Sequence, residues 1–162
     1  MPDPSVPEKK AGLHLKRPCL LVADLEQSLQ LYRDILGFRL DYVGEASASS
    51  YLYQVFGLPK QAQLKFAALS TTHEPRALAL TEAKAIELPP LEPVPRSATV
   101  IQVEDIIRKI EKIQALSLVT LEPSYFTAPP NLSFTEQGFY DFDGHLIVLY
   151  ETRIVSETHQ PL

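Results

Sequence analysis

Apolar residues change their spacing twice along this chain, at two places 81 residues apart. Val22-Ala23-Asp24-Leu25 is followed by Leu29, Tyr32 and Leu36, and Val103-Glu104-Asp105-Ile106 by Ile110 and Ile113. In each, a short apolar run meets an aspartate, after which apolar positions recur every three or four residues. A change of period from two to 3.6 predicts a strand feeding a helix. Asp24 and Asp105 are placed as N-caps, where a carboxylate accepts from free first-turn amides and opposes the helix dipole. Gly37 is placed to end the first helix in a left-handed conformation. Strand-like stretches follow each helix: Phe38–Val43, Gln63–Leu69 and Arg76–Thr81, then Leu118–Leu121, Gly138–Phe142 and Leu146–Glu151. Asp143-Gly144 between the last two is a hairpin signal. Each half therefore reads β-α-β-β-β, and the expected class is α+β. Two tandem modules would share a curved mixed sheet around a cavity, with their helices on the outer face.

Prolines refine this division. Four of the 14 lie between Leu88 and Pro95, a stretch that suits neither a helix interior nor a central strand. It reads as a semi-rigid linker, 87–95, between module one at about 13–86 and module two at about 96–155. Residues 1–12 read as a flexible arm and 156–162 as a tail.

Composition excludes more than it selects. Of 162 residues, 45% are hydrophobic and 22% charged, as in an ordinary soluble domain. A net charge of −5 argues against nucleic acid, which needs a basic face. No apolar run is long enough for a membrane helix, and the arm has no apolar signal core. A cytoplasmic location is expected. The single cysteine, Cys19, excludes an internal disulfide and a Cys-cluster zinc site.

Two segments carry a family resemblance. Arg17-Pro-Cys-Leu-Leu-Val-Ala-Asp-Leu-Glu-Gln-Ser-Leu-Gln-Leu-Tyr-Arg-Asp-Ile-Leu-Gly-Phe38 resembles the opening of vicinal-oxygen-chelate domains, the glyoxalase, bleomycin-resistance and extradiol-dioxygenase superfamily. Phe139-Tyr-Asp-Phe-Asp-Gly-His-Leu-Ile-Val-Leu149 resembles their closing hairpin. The resemblance spans about Leu13 to Glu151 and implies the two-module fold. It also implies four metal-ligand positions, normally His or Glu. Here they hold Arg17, Ala79, Ala98 and Val148. No divalent ion takes such a set, so neither metal nor other cofactor is expected. Glu82 and Glu151 lie three residues beyond two of these positions, where a regular strand turns them to the opposite face.

Strand residues in phase with those positions would face the cavity, among them Arg17, Cys19, Thr81, Gln102, Val148 and Tyr150. Tyr51 and Tyr53 on the long Glu45–Ala62 connection, with Phe126 on the corresponding second-half loop, complete the candidate ligand-binding set. The loop aromatics suit either stacking on a flat ligand or satellite packing beneath long loops. Arg17 suits either a clamp for a ligand carboxylate or phosphate or a structural ion pair. Cys19 suits either a reactive thiolate beside that cation or a small apolar filler. No Gly-rich phosphate loop or nucleophile elbow is present, and no catalytic residue stands out. The expectation is a metal-independent relative, a homodimer binding a small aromatic or anionic organic molecule. The alternatives are a glyoxalase-like lyase or dioxygenase with a non-standard metal site, and a metal-free enzyme using Arg17 as electrophile.

Overall fold

The computed structural model describes residues 12–155. The arm before Gly12 and the tail from Ser156 lie outside the described residues. Strand β1 (Cys19–Val22) leads into α1 (Leu25–Leu29), which continues as a π-helical segment over Gln30–Ile35. Then come β2 (Arg39–Glu45), a short α2 (Leu52–Val55), β3 (Gln63–Ser70) and β4 (Leu78–Lys84). The second half contributes β5 (Thr99–Gln102), α3 (Ile106–Ala115), β6 (Ser124–Ala128), β7 (Leu132–Tyr140) and β8 (Leu146–Ile154). The strands form two four-stranded sheets of identical plan, ordered β1-β4-β3-β2 and β5-β8-β7-β6. In each, the first strand pairs parallel with the last and the remaining pairs are antiparallel. Each half is thus a βαβββ module, and the sheets do not close into a barrel.

One hydrophobic core joins the modules. It takes Leu20, Val22, Leu78 and Leu80 from the first sheet, Ile147 and Leu149 from the second, and Leu25, Leu29, Ile106, Ile110 and Ile113 from the helices. Both helices therefore lie on the same side of the paired sheets, and that side is filled.

Polar contacts fasten the β7–β8 turn to module one. In the π-helical segment the Leu36 amide donates to the Leu31 carbonyl, 2.9 Å away. This widened turn lets consecutive Leu31 and Tyr32 both be buried. The Tyr32 hydroxyl donates to Asp141 Oδ2 at 2.6 Å. Burial, and then the Asp141 charge, hold the Tyr32 phenol well above the ordinary tyrosine range. The Ala23 amide donates to Asp143 Oδ1 at 2.9 Å. His145 Nε2 lies 2.7 Å from the Leu21 carbonyl, an acceptor only, so that nitrogen carries the proton.

The expected hairpin turn is present, with Gly144 at φ 84°, and Gly37 ends the first helix at φ 95°. Asp24 caps α1, accepting from the Gln27 amide. Two expectations need correction. Asp105 does not cap α3 with its side chain: its backbone is left-handed, at φ 53°, and makes no such bond. Its own amide donates instead to Glu151 Oε1 at 2.8 Å. The expected strand Leu118–Leu121 is reduced to a bridge between Thr120 and Phe139. Val119 and Leu121 each make one backbone bond to β7, and then Pro123, which has no N–H to donate, interrupts the ladder. Pairing resumes as β6, in what reads from the sequence as a loop.

Candidate functional site

Register fixes which side chains lie opposite the helices. Cys19 pairs with Ala79 and Leu21 with Thr81, while Leu20, Val22, Leu78 and Leu80 enter the core. Cys19, Ala79 and Thr81 therefore occupy the face turned away from the helices. In module one this face is sealed. The 46–62 connection folds over it, packing Tyr53 and Ala62 against Leu64 and Ala83, with Leu52, Leu58, Ile86 and Leu88 around them. The Tyr53 hydroxyl donates to the Ala62 carbonyl at 2.8 Å. Thr81 is 0% exposed and lies 3.5 Å from Cys19 Sγ. Thr81 and Tyr53 are thus packing residues in this chain, whereas Tyr51 stands in solvent at 71% exposure. Arg17 donates to the Arg76 carbonyl at 3.0 Å.

The equivalent face of module two has no such cover. Val100 pairs with Val148 and Gln102 with Tyr150; across β8, Tyr150 faces Glu136 and Val148 faces Gly138. Val100 is 61% exposed. The Tyr150 hydroxyl donates to Gln102 Oε1 at 3.0 Å, which leaves the Gln102 amide nitrogen as a donor. Phe126 stacks on Phe134 at 4.8 Å between centroids, with 13° between their planes. Gln102, Val148, Tyr150 and Phe126 come together here from the candidate set. Phe134 and Glu136 join them without having been singled out as binding residues. The signal for them was alternation along β7, hidden when that strand is taken to begin only at Gly138.

A groove of about 700 Å³ runs beside β5, lined by Thr99 to Glu104 on one side and by Pro18, Phe38 and Ala77 on the other. It connects the Gln102 edge of the open face with the start of β1, next to Arg17.

The metal positions hold a guanidinium, two methyl groups and an isopropyl group, which do not fit a divalent ion. Glu82 and Glu151 are turned to the helix side. Glu82 Oε2 accepts from the Leu25 amide at 2.6 Å, and Glu151 accepts from Asp105 as described. Each holds a helix N-terminus, the same use in both modules. Among the described residues no three His, Cys, Asp or Glu side chains gather in a metal-binding group, and no helix is long and apolar enough to cross a membrane.

A family model for the glyoxalase/bleomycin resistance protein/dioxygenase superfamily matches residues 14–149. Among solved structures, a glyoxalase family protein from Bacillus cereus aligns with TM-score 0.67 and 14% identity, covering 91% of this chain and 99% of that one. A glyoxylase/bleomycin resistance protein/dioxygenase domain from Frankia sp. EAN1pec gives 0.58 and 14%, covering 88% and 100%. The fosfomycin resistance protein FosX from Listeria monocytogenes gives 0.55 and 18%, covering 85% and 90%. No curated protein matches. At these identities the structural likeness speaks to the fold, and function rests on the site.

Proposed function

The chain belongs to the glyoxalase/bleomycin resistance protein/dioxygenase superfamily, and from that premise we propose that it binds a small organic molecule without recruiting a metal. The uncovered face of the second sheet carries the reading. It offers Val100 and Val148 as an apolar floor, the Phe126–Phe134 stack as an aromatic wall, and the Gln102–Tyr150 pair as polar handles. A flat aromatic ligand suits that combination. For an anionic substituent we take Arg17 as the cation, which would exchange the Arg76 carbonyl for a ligand oxygen; Lys109 also lines the groove. Of the candidate residues, Gln102, Phe126, Val148 and Tyr150 contact the ligand in this reading, and Cys19 and Tyr53 support the wall of module one. The protein works as a homodimer, since a second copy would shield an apolar face that the monomer leaves in water.

Thermal-shift titration with a panel of aromatic acids and their neutral esters tests this. Val148→Glu and Phe126→Ala should each weaken binding by about tenfold or more, ~1.4 kcal/mol. Unchanged affinity in both would sink the assignment of the face. Arg17→Ala should weaken the acids and spare the esters. Elemental analysis addresses the metal-dependent lyase or dioxygenase alternative: a stoichiometric transition metal in the purified protein would favour it over the present reading.

A further inference from the structure

A second recess, of about 610 Å³, lies away from the open face. It is bounded by the end of β4, the Pro-rich connection 85–91 and the β7–β8 turn. Its walls are hydrocarbon, chiefly Leu21, Ile86, Leu88 and Leu91. Three of these, Leu21, Ile86 and Leu88, also pack against the cluster that seals module one, so the recess has a fixed wall rather than a loose flap.

Its polar groups are Asp143, His145, Lys84 and Glu87. Asp143 Oδ1 is held by the Ala23 amide; its other oxygen has no hydrogen bond among the described residues. Burial raises the Asp143 carboxyl above the ordinary range, and like charge from Asp141 and Asp24 adds to this. The Ala23 bond and His145 oppose the shift. His145 spends its Nε2 proton on the Leu21 carbonyl. Lys84 is directed elsewhere, with Nζ 3.9 Å from Asp24 Oδ2. The recess thus combines apolar walls with a half-buried carboxylate whose outer oxygen has no hydrogen bond among the described residues. A carboxylate so placed gains most from an ammonium that brings its own apolar body.

We propose that this recess binds an apolar amine, its protonated primary or secondary ammonium on Asp143 and its hydrocarbon or aromatic body against Leu21, Ile86, Leu88 and Leu91. An anion is disfavoured by the three aspartates, and a fully neutral molecule leaves Asp143 uncompensated.

Amide NMR titration of the full chain with 2-phenylethylamine, 2-phenylethanol and 3-phenylpropionate tests this. The amine should shift the amides around Ile86–Leu91 and Asp143–His145 and bind about tenfold or more tighter than the alcohol; the carboxylate should not bind. Asp143→Asn keeps an acceptor for the Ala23 amide and should weaken the amine about tenfold. Leu91→Arg, at an exposed position, places a competing cation over the recess and should do the same with folding intact. Equal binding of amine and alcohol, or full affinity in both variants, would overturn the proposal. So would shifts confined to Val100, Val148 and Tyr150, which would place the amine on the open face instead.

Discussion

Tyr32 carries its hydroxyl into the core, where Asp141 from the other module accepts its hydrogen bond. Tyr32→Phe keeps the ring and strands a buried carboxylate oxygen. We expect a loss of about 1–3 kcal/mol in chemical denaturation; a change under ~0.5 kcal/mol would mean that water replaces the hydroxyl. Asp143 makes a pH prediction. Its folded carboxyl is raised, so the native state holds that proton more tightly than the unfolded chain. The stabilising contribution is complete below the unfolded aspartate range and is lost as pH rises through the folded value. Wild type should therefore lose stability relative to Asp143→Asn across that window, and the difference should level off above it. A flat difference would show that Asp143 titrates normally. Asp24 and Asp105 mark where single-residue legibility ends. Both sit at a strand-to-helix junction, yet only Asp24 caps. Asp105 adopts a left-handed backbone because its amide is drawn to Glu151, 46 positions away, a pull that no local pattern reveals. Asp105→Gly should accordingly leave stability unchanged or raise it by up to ~1 kcal/mol. A clear loss would return the capping role to the side chain.

Among elements, strand parity was the most readable feature. Two-residue alternation placed Cys19, Thr81, Val148 and Tyr150 on one side, and the register agrees. The same parity turned Glu82 and Glu151 away, though not toward what they do there. Both hold helix amides, so Glu82→Ala and Glu151→Ala should each cost about 1–3 kcal/mol, with Gln restoring part of it by keeping an acceptor. Equal effects of Ala and Gln would point to helix-dipole charge as the whole contribution. β6 and the sealing of module one were not readable. Pro123 relocates pairing beyond the apolar run that looked like the strand. The 46–62 connection seals its sheet through packing by Tyr53, Leu52 and Leu58, a tertiary choice between the stacking and satellite-packing readings that the sequence left open for Tyr53. The candidate site was consequently legible in its faces and illegible in their access: Thr81 and Tyr53, two of the nine expected lining residues, are interior.

At the scale of the whole molecule, the two modules are separate sheets with a common core. Leu29, Ile110, Ile113 and Ile147 belong to one cluster, so neither half retains its interior when the other melts. Calorimetry should give a single transition with matching calorimetric and van 't Hoff enthalpies; two resolved peaks would refute the shared core. The strand order leaves β1 and β2 at the margins of the first sheet and β5 and β6 at those of the second, and β2 and β6 are not alike. β2 bears Arg39, Asp41 and Glu45, charges that discourage a foreign strand from docking. β6, Ser124–Ala128, has neither charge nor proline within it. Strand addition therefore meets less resistance at β6 than at β2, and pairing β6 with β6 uses that margin up. Growth by that pairing ends at two molecules, because a closed two-fold contact leaves neither β6 free for a third.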